Sequence, residues 1–161
     1  MRDMGDGEKK VYVLPRAATG FHRPKDGPPP RTDLRPFRTG LHAVARAVGG
    51  RVGELEEMSH PRTFHVASIV ENTGERVVLC HAYHPWIAFT DVRREWYTDQ
   101  FLAPPPWADT FTHLGFEVLG LDRLNLPLSD VDTSVLSHGE RCEVRFYRID
   151  TLGGVLFNGW D

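Results

Sequence analysis

The sequence predicts an α+β fold: an antiparallel sheet of about four or five strands centred on a 63–84 hairpin, packed by three or four helices and preceded by a Pro-rich N-terminal arm. Three observations carry this reading. Two β-rich runs, Thr63 to Glu71 and Arg76 to Tyr83, flank the turn-forming tetrapeptide Asn72-Thr-Gly-Glu75. Leu34, Phe37, Leu41, Val44, Ala45 and Val48 recur at helical period. The 161 residues, 40% hydrophobic and 25% charged, suit one globular domain with little room for a second.

In chain order, residues 1–32 read as the arm. A polar start leads into the β-prone run Lys10-Val-Tyr-Val-Leu14, and Gly27-Pro-Pro-Pro30 continues neither a helix nor a regular ladder. A single α+β domain is expected over 33–161. Thr32 or Asp33 caps its first helix, Pro36 falls in the first turn, and Gly49-Gly50 ends it, before a short strand from Arg51 to Glu56.

In the hairpin, Thr73-Gly74 as the two turn residues pairs His65 with Ala82, Ala67 with Cys80 and Val66 with His81. Both faces of the pair are largely apolar, as in strands covered on each side. On this pattern His65 and Cys80 share one face, His84 joins them if the strand stays regular, and His81 points the other way.

A further strand is expected at Trp86-Ile-Ala-Phe89, whereas Thr90 to Gln100 fits either a helix or a loop. Ala103-Pro-Pro-Pro106 introduces a helix near 106–114 that Gly115-Phe116 terminates, and Phe116 to Leu121 reads as a strand. In 137–147, Cys142, Val144 and Phe146 alternate like a strand. The capping-box spacing of Ser137 and Glu140 favours a helix instead. A last helix, capped by Asp150, places Leu152, Val155, Leu156 and Trp160 on one face despite its glycines.

Net charge is −3, with 19 basic and 22 acidic residues, which argues against a protein that lives on nucleic acid or anionic lipid. No window approaches the ~18 apolar residues of a membrane span, and MRDMGDGEKK lacks the apolar core of a secretory signal, so a cytoplasmic location is expected. Cys80 and Cys142 are then reduced thiols, and neither belongs to a Cys-x-x-Cys pair. Dinucleotide-binding, Walker A, Gly-x-Ser-x-Gly and His-Glu-x-x-His strings are missing. Asp130-Val-Asp132 opens like a calcium loop, yet Val135 stands where that loop needs glycine and Arg141 where it needs glutamate.

The densest group of proton carriers and ligands is His65, Cys80, Tyr83, His84 and Asp91, the candidate catalytic set. Imidazole and carboxylate donors on neighbouring strands suit an open divalent metal site, for which His65, His84 and Asp91 are the candidate ligands. No other cofactor is implied. Trp86, Trp96, Tyr97 and Phe101 are candidate binding aromatics, and Trp96-Tyr97 among charged neighbours reads as an exposed patch. With no catalytic motif, the leading expectation is a small protein-binding module, either an inhibitor or immunity-type partner or an accessory subunit, that engages its partner through the Pro-rich arm and the aromatic and charged 86–107 segment, with self-association as a variant. The alternative is a small biosynthetic tailoring or cyclising enzyme that takes a small-molecule substrate at the His/Cys/Asp residues.

Overall fold

A computed structural model describes residues 12–21, Lys25 and 27–160. Within them the chain forms strands β1 (Tyr12–Val13), β2 (Arg51–Val52), β3 (Phe64–Glu71), β4 (Gly74–His81), β5 (Trp86–Thr90), β6 (Glu117–Val118) and β7 (Val131–Asp132). The helices are α1 (Leu34–Val48), α2 (Asp109–His113), α3 (Leu121–Leu124), α4 (His138–Phe146) and α5 (Leu152–Leu156). The fold is α+β, as the sequence predicts.

The main sheet has the order β2-β3-β4-β5-β6, antiparallel throughout except for the parallel pair β5-β6. That exception follows from the connection: the chain passes through the 91–105 segment and α2 before returning as β6, and a long crossover permits parallel pairing. A second, two-stranded parallel sheet joins β1 to β7.

Two-residue periodicity divides the side chains between two cores. On one face Ala67, Ile69, Val78, Cys80, Ile87 and Phe89 meet Phe37, Leu41 and Val44 of α1 and Phe111 of α2. On the other, Phe64, Val66, Val77, Leu79, Trp86 and Ala88 meet Leu14, Ala18, Leu124, Val144, Leu152 and Val155. The sheet is thus the middle layer, which is why β3 and β4 read as near-continuous apolar runs.

Helix α1 starts and ends where its sequence directs. Asp33 accepts the Arg35 amide at its N-terminus, and Gly49 closes it in the left-handed region with φ 70°. The hairpin register differs from the expected one by two residues. The turn is Asn72-Thr73, so Phe64 pairs with His81 and His65 with Cys80. Gly74, with φ 136°, opens β4 in a conformation only glycine enters freely, and this draws the turn back by one residue. Because the slip is even, every side chain keeps its expected face.

After the Gly53 amide donates to the Ser68 carbonyl at 2.8 Å, residues 54 and 55 leave the ladder, and pairing with β3 resumes at the bridge from Glu56 to Val66. The 91–100 segment is irregular, and a 3-10 turn over Pro106–Ala108 precedes α2. Residues 137–147 are helical, with the reciprocal Ser137–Glu140 capping box formed. Thr151, rather than Asp150, caps α5, which ends before Trp160.

Much of the expected arm, residues 1–11, 22–24 and 26, lies outside the described residues. The part described is not free-standing: Leu14, Ala17, Ala18 and Thr19 are buried. Thr19 donates its hydroxyl to Glu140 Oε2 at 2.7 Å, while Asn158 Nδ2 donates to the Thr19 carbonyl at 3.0 Å. The N-terminal segment is therefore tied to both α4 and the residues after α5.

Candidate functional site

His65 lies on the α1 side of β3, where its Nδ1 accepts the Met58 amide at 2.8 Å. Burial holds its pKa down to about 4, with Glu57 opposing and Arg62, Arg31 and Arg38 reinforcing the shift. Cys80 is its cross-strand partner, but the thiol is directed to the His81 carbonyl at 3.8 Å. Complete burial pushes that thiol up, so it packs as a small hydrophobe rather than serving as a nucleophile.

His84 does not join that face. Leaving the ladder after His81 lets the chain bend, and His84 turns to the opposite side, where it stacks on Trp86 at 4.6 Å and bonds through Nε2 to the Arg16 carbonyl at 2.8 Å. Asp91 is exposed beyond the far end of β5, roughly 20 Å from His84 at about 3.3 Å per residue of strand. The expected convergence of His65, His84 and Asp91 on a metal is therefore corrected, and among the described residues no group of three His, Cys, Asp or Glu side chains could hold one. Tyr83 and His84 do meet, lining a cleft of about 310 Å³ beside the capped start of α1 with Arg31 and Asp33. Tyr83 also lines a cleft of about 210 Å³ with His60, Arg62 and Trp160.

The aromatic expectation is corrected in the same way. Tyr97 is fully buried, donating its hydroxyl to the Val92 carbonyl at 2.6 Å and accepting the Arg94 amide at 2.7 Å. Trp86 and Phe101 are buried, and half-buried Trp96 donates Nε1 to the Gly154 carbonyl at 3.2 Å. An irregular segment without a ladder is held by its anchors, and these aromatics are the anchors.

Helix α4 also presents side chains outward. At 100° per residue, Glu140, Val144 and Tyr147 turn toward the core, while His138, Cys142, Arg145 and Phe146 form the opposite crest. Along it, Cys142 Sγ lies 3.4 Å from His138 Nε2, and Arg145 Nη2 donates to the same sulfur at 3.7 Å. Phe146 is 76% exposed, the most exposed large hydrophobic side chain described. One flank of the crest descends into a groove of about 300 Å³ with Leu128, Leu136 and Val144 in its walls and Arg141 and Arg145 beside them. The i, i+4 spacing of His138 and Cys142 was present in the sequence, but it acquires meaning only when 137–147 is a helix, since a strand would splay the same residues differently.

No protein-family model matches the chain, no curated protein matches it in sequence, and no solved structure matches its fold. Among the described residues no helix is long and apolar enough to cross a membrane.

Proposed function

We propose that the chain is a protein-binding module whose docking face is the crest of α4 and its adjoining groove. The observation that carries this is Phe146, left 76% exposed on the crest of α4 while the other aromatics of the C-terminal region pack inward, with the apolar groove on the opposite flank of the same helix. Exposed aromatic surface beside guanidinium groups is the composition that protein interfaces favour. The module would act as an inhibitor or accessory subunit, engaging its partner through α4 rather than through the 86–107 segment. The tailoring-enzyme alternative draws no support from the geometry, because its residues lie on opposite faces of the sheet and at opposite ends of β5.

The test is affinity capture with the full chain from its own cells, comparing wild type with Phe146→Asp and with Glu75→Lys on the remote hairpin. A specific protein retained by wild type and Glu75→Lys but lost by Phe146→Asp supports the reading. Identical capture by all three overturns it.

A further inference from the structure

We infer that the occupant of the α4 groove is an acidic segment of another protein that inserts an apolar side chain. This deepens the protein-binding reading and rests on it. Leu128, Leu136 and Val144 supply apolar wall, Ser129 and Thr133 add hydroxyls, and the charged members are Arg141 and Arg145. Among the described residues no carboxylate lines the groove, although acidic residues outnumber basic ones in the whole chain, 22 to 19. The groove therefore inverts the charge of the molecule that carries it.

Both guanidinium groups keep their charge available. Arg141 donates from Nη1 to the Leu136 carbonyl, and Arg145 reaches only the Cys142 sulfur. Neither is ion-paired among the described residues. A guanidinium bonded to a neutral acceptor still presents its remaining N–H donors to a carboxylate, in the fork geometry that carboxylates fill best. A second copy of this chain is the poorer occupant, because a two-fold contact on this face would bring the arginines of one copy toward those of the other.

The experiment replaces exposed Ser129, in the groove wall, with p-benzoylphenylalanine in the full chain, followed by irradiation in the native cells and sequencing of the cross-linked peptide. The expected peptide is rich in Asp and Glu around an apolar residue. Its yield should fall about tenfold when Arg141→Glu and Arg145→Glu are combined. It should also fall when a lysate is irradiated at about 0.5 M rather than about 0.05 M salt. Urea midpoints of the variants confirm that they fold.

A neutral or basic peptide, or a yield that Phe146→Asp lowers and charge reversal leaves alone, overturns the acidic occupant while the protein-binding reading stands. Cross-links confined to a second copy of the chain overturn it in favour of self-association. If no cross-link forms and Phe146→Asp leaves affinity capture unchanged, the protein-binding reading falls and the inference falls with it.

Discussion

His81 Nε2 donates to the Ala18 carbonyl at 2.9 Å, so a fully buried imidazole in the central sheet fastens the N-terminal segment to the second core. The donor assignment follows from the other ring nitrogen. Nδ1 faces the amides of Tyr83 at 3.1 Å and His84 at 3.2 Å, and it can accept them only if it carries no proton. Replacing this ring with His81→Phe keeps most of its volume while orphaning a carbonyl and two amides. The expected loss is about 2–3 kcal/mol in urea unfolding. A midpoint within error of wild type would show that the tether carries no weight.

Burial of this ring and of His65 makes stability depend on pH. Burial holds His81 down to about 3 and His65 to about 4, so both are neutral in the folded chain at any ordinary pH. The unfolded chain protonates its histidines near pH 6.5 and therefore binds more protons than the folded chain below that value. Stability is accordingly full above about pH 7 and falls as pH is lowered from 6.5 toward 4, by up to about 1.4 kcal/mol per pH unit for each histidine. Urea midpoints between pH 7.5 and 4.5 measure the slope, which His65→Gln should flatten. A stability that rises on acidification contradicts the assignment.

Glu140 is 1% exposed and serves two elements at once, accepting the Ser137 amide at 3.1 Å and the Thr19 hydroxyl at 2.7 Å. Ser137→Ala removes one half of the capping box and should cost about 1 kcal/mol. Thr19→Val leaves the buried Glu140 Oε2 with only the long bond from the Thr19 amide at 3.4 Å, at a cost of about 1–3 kcal/mol. A double-mutant cycle between Thr19→Val and Glu140→Gln should give coupling of at least about 0.5 kcal/mol. Strict additivity would mean that the two residues do not meet.

The two thiols should separate cleanly by reactivity. Cys142 sits on the α4 crest against His138 and Arg145, whereas Cys80 has no exposed surface. Iodoacetamide should add one carbamidomethyl group to the native chain, mapped to Cys142, and a second only after denaturation. Cys142→Ser should leave the native protein unlabelled. Native labelling of Cys80 would contradict the packing of the α1-side core.

Gly153 tests packing against propensity. Alanine is favoured over glycine inside a helix by about 1 kcal/mol, so Gly153→Ala would stabilise α5 if space allowed. A Cβ there would lie 2.5 Å from the Phe101 ring and 3.0 Å from the Leu124 carbonyl oxygen. Overpacking should prevail, with a net loss of about 1–3 kcal/mol on thermal or urea unfolding. A more stable variant would mean that the ring yields at little cost.

What the sequence alone determined is what local periodicity and capping encode. Asp33 and Gly49 mark the ends of α1, alternation places His65 and Cys80 on one face of the hairpin and His81 on the other, and Ser137 with Glu140 starts α4. These are short-range consequences of side-chain spacing and backbone hydrogen bonding, so adjacent residues suffice to read them. Tertiary structure decided the rest. His84 is turned away from His65 by the bend after β4 and held by the Arg16 carbonyl. Tyr97 is taken from an apparently polar loop into the core, because an irregular segment over a sheet needs an anchor. Cys142, unremarkable in sequence, meets His138 because 137–147 folds as a helix, and Gly153, which weakens α5, is required by Phe101 and Leu124. Each of these depends on contacts between residues far apart in the chain or on a choice between two local periods, and such information is created only when the layers pack.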